Sequence, residues 1–166
     1  MKMKSHLQAS VFMLMSAISF AAMADQNTAV ITVQVTIYTP PCEVNNNQVI
    51  DVDFGDNIIT TDVAAGMIEK PVNYTIDCSS ADTSKQLKMT ISGMGADFDD
   101  TVLKTSIPEL GVKIKANGSD YPVNTDLNFG TANSKPVLTA LLVQQPGTRL
   151  PTGGFSASAN MRVDYQ

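Results

Sequence analysis

Period-two alternation of apolar and polar residues is the feature that most constrains the fold of this chain. In residues 155–165 (FSASANMRVDY) it persists over the whole segment, with Phe155 and Val163 on one face and Ser156 and Arg162 on the other. Shorter segments repeat the pattern in residues 48–56, 70–78, 86–93 and 110–123, the last with a turn at Asn117 and Gly118. Such alternation is typical of strands with one buried face.

Residues 135–145 (KPVLTALLVQQ) are more continuously apolar and fit either a strand buried on both faces or a short helix. Their length and their β-branched residues favour a strand. Six or seven segments of this kind, separated by turn residues and without a convincing helix, predict an all-β antiparallel sandwich.

The first 24 residues have the composition of a signal peptide. Lys2 and Lys4 precede an apolar run at residues 11–22, which ends in the small-x-small pattern of Ala22 and Ala24. The run is shorter than the roughly 20 residues that span a bilayer. We therefore expect a mature chain that begins near Asp25 and is not inserted in a membrane.

Removal of this segment makes the remaining chain more acidic. The full sequence has 11 basic and 16 acidic residues, a net charge of −5, and its single histidine is His6. Without Lys2 and Lys4, nine basic residues face sixteen acidic ones and the charge is −7. A surface of this sign disfavours nucleic acid and anionic lipid, so we expect protein or neutral partners.

Cys42 and Cys78 are the only cysteines in the chain. Export to an oxidising compartment favours a structural disulfide between them. A reactive or metal-binding thiol pair is disfavoured because the close spacing and the histidine ligands of such sites are missing.

Residues 25–41 are predicted to form a distinct N-terminal arm. Ile31, Val33, Val35 and Ile37 share one apolar face, and the arm ends at Thr39-Pro40-Pro41, where proline lacks a backbone donor and interrupts sheet pairing. An exposed apolar strand is a template for association. The arm is therefore expected either to fold back on its own domain or to pair with another sheet.

These features together resemble subunits of chaperone–usher fimbriae, over the whole length of the mature chain. The marks are an alternating arm ending at Pro41-Cys42, the QVIDVDFGD segment, a second cysteine at Cys78, Gly153 and the penultimate Tyr165. The stretch VTIYTPPCEVNNNQVIDVDFGD is most similar to a minor tip adaptor of this class.

The resemblance implies an incomplete immunoglobulin-like sandwich in residues 42–166 that lacks its last strand. The arm is then a donor strand for a neighbouring subunit, through Ile31, Val33, Val35 and Ile37. The acceptor groove implied by the resemblance is bordered by the inward residues of the C-terminal strand: Phe155, Ala157, Ala159, Met161, Val163 and Tyr165. Implied partners are a periplasmic chaperone, an outer-membrane usher and neighbouring subunits, and the implied location is a surface fimbrium.

Within this class the sequence favours a tip adaptor. The alternatives are a major rod subunit and an adhesin subunit that binds a host ligand. The C-terminal strand is equally compatible with an ordinary core strand of a complete sandwich, since periodicity does not distinguish the two.

Carboxylate pairs are the remaining candidates for catalysis or metal binding. Asp51 and Asp53 alternate with apolar residues as solubilising groups do, and Asp97, Asp99 and Asp100 are expected in a solvated loop. DVDFGD departs from the calcium-loop pattern in the position of Gly55 and lacks the glutamate that closes such a loop. We therefore expect no enzyme activity, cofactor or metal.

Overall fold

The computed structural model describes residues 42–166, and the predicted signal peptide and arm lie outside this range. Strands make up most of the regular secondary structure of the described chain, which confirms the all-β prediction. In chain order the strands are β1 (Glu43–Val44), β2 (Glu69–Val72), β3 (Ile76–Asp77), β4 (Leu87–Ser92), β5 (Gly95–Ala96), β6 (Asp99–Lys104), β7 (Leu110–Ala116), β8 (Ser119–Asp120), β9 (Asp126–Phe129), β10 (Leu138–Gln144) and β11 (Asn160–Tyr165). A short helix, α1 (Thr60–Ala64), connects the first strand to the second.

The strands form one larger and one smaller antiparallel sheet. The larger sheet has the order β2-β10-β7-β6-β5, with β8 joined to β7 by a hairpin. Asn117 and Gly118 make the hairpin turn with φ of 50° and 81°, as predicted for this dipeptide. The smaller sheet has the order β11-β4-β9, and β1 pairs separately with β3.

The hydrophobic core lies between the two sheets. Met89 on β4, Leu142 on β10 and Val163 on β11 have at most 2% of their surface exposed. Because alternate residues of these strands point inward, the apolar half of each pattern fills the space between the sheets. The outer faces carry exposed ion pairs such as Lys88–Asp126 and Lys113–Asp120.

Most predicted strands are confirmed, and residues 135–145 contain strand β10 and no α-helix. The prediction of a strand was wrong for residues 48–56. Side-chain exposure alternates along residues 50–54 as expected, but no described strand pairs with this segment. Residues 70–78 are divided between β2 and β3. Helix α1 and strands β6 and β9 were not predicted, because all three are short or lack clear alternation.

Within residues 42–166, no helix has both the length and the apolar character needed to cross a bilayer.

Candidate binding groove

A groove with a cavity volume of about 1460 Å³ runs along one side of the sandwich. Two extended segments border it, residues 48–56 (the first wall) and residues 155–163 (the second wall). Its floor is apolar and belongs to the core between the sheets. The floor residues that line the groove include Ile91, Leu103, Leu110, Val112, Ile114, Ala140 and Leu142.

The first wall begins at a left-handed turn of three asparagines. Asn45, Asn46 and Asn47 have φ of 49°, 48° and 59°, a region that asparagine tolerates better than other side chains. The side-chain amide of Asn45 donates to the carbonyls of Gln48 and Val49, at 3.1 and 3.2 Å. This turn directs the chain out of β1 and along the groove.

The disulfide Cys42–Cys78 holds the start of this wall, and its predicted pairing is confirmed. Cys42 directly precedes β1 and Cys78 directly follows β3, so the covalent bond joins the ends of two paired strands. The asparagine turn and the first wall therefore extend from a cross-linked base.

Side chains of the first wall alternate, although its backbone is unpaired. Ile50, Val52 and Phe54 are half-buried and pack against the core, whereas Asp51 and Asp53 are exposed. No strand among the described residues pairs with residues 48–56. The wall thus has the side-chain pattern of a sheet strand without the hydrogen bonds of one.

The second wall is paired over only part of its length. From Asn160 onward it is strand β11, an end strand of the smaller sheet whose described partner is β4. Residues 155–159 belong to no described strand, so the prediction of a strand over residues 155–165 was wrong for this half of the segment. They are held at Ser156, whose carbonyl accepts from the Ser106 amide at 2.9 Å and whose amide donates to Ser106 Oγ at 3.0 Å.

Two aromatic rings connect the walls. Phe54, near the end of the first wall, and Phe155, at the start of the second, have ring centroids 5.9 Å apart and planes inclined at 51°. This is the separation of a favourable tilted aromatic pair. The contact ties the walls together at one end of the groove.

Five of the six predicted acceptor residues line this groove: Phe155, Ala157, Ala159, Met161 and Val163. Tyr165 does not line it. Its hydroxyl accepts a hydrogen bond from the Asp82 amide at 2.8 Å, and the Lys85 ammonium lies 4.9 Å from its ring centroid.

The first wall was not assigned to the groove from the sequence, and neither were the asparagine turn or Ser106. The run Asn45-Asn46-Asn47 was a visible turn signal. The partnership of Ser106 with Ser156 carries no local signal, since it joins residues 50 positions apart.

Two of the carboxylates considered for catalysis, Asp97 and Asp99, make structural contacts. Asp97 forms an ion pair with Lys104 at 2.8 Å, and hydrogen bonds from the Thr101 hydroxyl and amide hold the pKa of Asp99 below its usual value. Asp99 and Asp100 begin strand β6, so the prediction of a solvated loop was wrong for these two residues. In the part of the chain that the structure describes, no cluster of three or more acidic, histidine or cysteine side chains has the geometry of a metal site.

Comparison with known proteins defines the class of this fold. The rod subunit PapA of the P pilus superimposes with a TM-score of 0.59 at 16% identity, covering 84% of this chain and all of that one. The P pilus adaptor subunit PapF superimposes with a TM-score of 0.57 at 27% identity, covering 79% of this chain and all of that one. The fold is therefore that of an immunoglobulin-like pilin domain, with sheets that do not close into a barrel.

Sequence comparison identifies the family. The family model described as fimbrial protein matches residues 31–166. The uncharacterized fimbrial-like protein YfcQ of Escherichia coli strain K12 is 33% identical over 156 residues, covering 91% of this chain and 93% of YfcQ. The fimbrial adapter PapF of Escherichia coli is 29% identical over 171 residues, covering 96% and 99% of the two chains.

The chain belongs to the fimbrial protein family, and the resemblance seen in its sequence is confirmed. This family consists of structural subunits, so the chain is a fimbrial subunit and not an enzyme.

Proposed function

We propose that this chain is an adaptor subunit of a chaperone–usher fimbria, whose groove accepts a β-strand from another protein. The observation that carries the proposal is an apolar floor between two walls, of which the first has no described strand partner and the second ends in an edge strand whose described partner is β4. A strand laid between them would pair with both walls and direct alternate side chains into the core. This is β-strand addition, in which main-chain hydrogen bonds supply affinity and pockets for alternate side chains supply specificity.

The size of the groove favours a peptide segment over a small ligand. Small-molecule sites commonly enclose about 300–1000 Å³, whereas this cavity measures about 1460 Å³. The floor contains few polar groups with which to orient a small molecule, and the rims offer unpaired backbone instead.

The two edges of the larger sheet are less suited to strand addition than the second wall. β2, at one end of the larger sheet, contains Pro71, which has no backbone donor. β5, at the other end, is only two residues long and has a register shift against β6 between Gly95 and Ala96. Short strands, bulges and prolines are the usual protection against edge pairing. The second wall contains no proline, and its strand β11 runs in continuous register against β4, so it is better suited to strand addition than these two edges.

The N-terminal arm, residues 25–41, supplies the complementary element in this proposal. It lies outside the described residues, and its role follows from its sequence and from the family. Burial of Ile31, Val33, Val35 and Ile37 at roughly 1.5–3 kcal/mol each would provide about 6–12 kcal/mol before entropic costs. The domain boundaries at residues 24 and 41, and the assignment of donor residues, belong to this proposal.

The partners we propose are neighbouring fimbrial subunits, a periplasmic chaperone that occupies the groove before assembly, and an outer-membrane usher. The mature subunit would then reach the cell surface through the periplasm. Similarity to PapF at 27–29% identity, against 16% for PapA, supports the adaptor role over the rod role.

Hydrogen exchange tests the groove directly. The experiment uses a variant that lacks its own arm and is purified with a removable peptide in its groove. Once this peptide has been removed, a synthetic peptide that copies residues 27–39 is added. We expect the amides of residues 49–54 and 157–159 to become at least about tenfold more protected. Amides of β4 that already bond to β9 serve as the internal control. Unchanged exchange in both walls would contradict strand addition.

Arm variants test donation separately. Val33→Asp and Val35→Asp would place charges in a partner's core and block incorporation into a fimbria, while chaperone binding through the groove is retained. Thr32→Asp and Gln34→Asp, on the opposite face of the arm, are matched controls expected to incorporate. Loss of chaperone binding in the valine variants would contradict the separation of donor and acceptor sites.

A further inference from the structure

The rim of the groove carries an uncompensated negative charge along the first wall. Four carboxylate residues on this side line the groove: Glu43, Asp51, Asp53 and Asp56. Within the described residues, none of the four lies within 4.0 Å of a lysine or arginine nitrogen. On the opposite side the Nε of Arg162 already pairs with Asp164 at 2.6 Å.

This charge is concentrated in one stretch of sequence. Residues 43–68 contain five carboxylates and no lysine or arginine. On the sheets, by contrast, acidic side chains face cations across strands, as Asp126 does with Lys88 at 2.7 Å and Asp120 with Lys113 at 2.8 Å. The first wall therefore carries a strip of negative charge along the border of an otherwise apolar groove.

We propose that the groove selects strands that carry lysine or arginine at their solvent-facing positions. The inference rests on the proposed function, in which the groove accepts a strand. Apolar side chains on the inner face of that strand would fill the floor, while cations on its outer face would lie beside the carboxylates of the first wall. Complementary charge at a rim raises association rates and excludes unsuitable partners more than it raises affinity.

The chain's own arm lacks this feature. Residues 25–41 contain Asp25 and no lysine or arginine. The outward positions of the arm are occupied by neutral residues, among them Thr32, Gln34 and Thr36. A copy of this chain is therefore a poorer electrostatic match for the groove than a different protein with a basic strand. Heterologous pairing of this kind is what an adaptor requires.

Three peptides test the proposal, each keeping the apolar face of residues 27–39. One has the natural sequence, one carries Thr32→Lys, Gln34→Lys and Thr36→Lys, and one carries glutamate at the same positions. Association rates are measured by stopped flow with the arm-deleted variant at low salt and at about 1 M salt, where the Debye length is about 3 Å. We expect the lysine peptide to associate about tenfold faster than the natural one at low salt, the glutamate peptide to associate more slowly, and the differences to vanish at high salt.

Two variants locate the effect. Asp51→Asn with Asp56→Asn removes charge from the first wall and should reduce the preference for the lysine peptide to less than about threefold. Asp99→Asn with Asp100→Asn removes the same charge from the β5–β6 hairpin, outside the groove, and should preserve the preference. Comparing peptides within each variant removes any effect of the substitutions on stability.

The outcomes separate this inference from the proposed function. Equal rates for the three peptides at low salt, or equal loss of preference in both variants, would overturn the charge selection while leaving strand addition intact. Failure of every peptide to bind at either salt concentration would overturn strand addition itself.

Discussion

The rings of Phe54 and Phe155 lie 5.9 Å apart and join the two walls of the groove, which are otherwise without mutual backbone pairing. The two residues are 101 positions apart in the chain, and each is half-buried against the core. The aromatic contact therefore controls how far the walls separate at this end. A strand seated in the groove has to accommodate or displace it.

Removing either ring should loosen the groove. We expect Phe54→Ala and Phe155→Ala each to lower the free energy of unfolding by about 1–3 kcal/mol, less than for a fully buried phenylalanine. A double-mutant cycle should show a coupling of about 0.5–1.5 kcal/mol. Urea denaturation measures both quantities. Phe129→Ala on β9, also half-buried but outside the groove, is the matched control and should show no coupling to Phe155→Ala.

The disulfide should contribute strongly to stability because it closes a long loop. Cys42 and Cys78 are separated by 36 positions, for which the chain-entropy model predicts about 4 kcal/mol. We expect the double variant Cys42→Ala, Cys78→Ala to lose about this amount in urea denaturation, and its first wall to exchange amide hydrogens faster. An unchanged urea midpoint would show that the pairing of β1 with β3 suffices to hold the wall.

The asparagine turn should respond to backbone propensity. Asn46 has φ of 48° and ψ of 38°, a conformation that glycine adopts without steric cost and β-branched residues resist. We expect Asn46→Val to destabilise the fold by about 1–2 kcal/mol and Asn46→Gly to change stability by less than about 1 kcal/mol. Thermal unfolding measures the difference, and equal melting temperatures would contradict a left-handed turn.

Alkaline unfolding should depend on two buried tyrosines. Burial raises the pKa of Tyr121 to about 12 and that of Tyr74 to about 12, above the value of about 10 in an unfolded chain. Because the folded state retains the proton more strongly, this contribution is complete below pH 10 and is lost as the pH rises through 12.

Tyr121→Phe should therefore flatten the decline in stability between pH 10 and 12 by about 2 kcal/mol. At pH 7 the same change should cost about 1 kcal/mol, since the hydroxyl donates to the Met89 carbonyl at 2.7 Å. Urea denaturation across this pH range gives both values. A decline as steep as that of the unmodified protein would show that other groups govern alkaline unfolding.

Sequence reasoning succeeded where local pattern and tertiary environment coincide. The inward residues of β4, Leu87, Met89 and Ile91, are all buried, as their alternation predicted. Alternation did not predict β6. Its adjacent residues Val102 and Leu103 are both buried, so the period-two pattern is lost there. A side chain's inward or outward direction is a local property, so it can be predicted from a few neighbouring residues.

Pairing is not local in this sense. Residues 48–56 alternate as clearly as β4 does, yet no described strand lies beside them, because a backbone hydrogen bond requires a partner brought from elsewhere in the chain. Five of the six residues proposed as acceptors line the groove, but their pattern did not identify the first wall as the opposite side of it.

The amino-acid sequence alone determined the all-β character of this protein, the faces of most strands, the disulfide and the family. Only the tertiary structure decided which two segments border the groove, that Phe54 and Phe155 join them, and that the acidic residues of the first wall stand along its rim. The physical reason is range: alternation and propensity act over a few residues, whereas a groove is defined by segments about 100 positions apart that meet only when the core assembles.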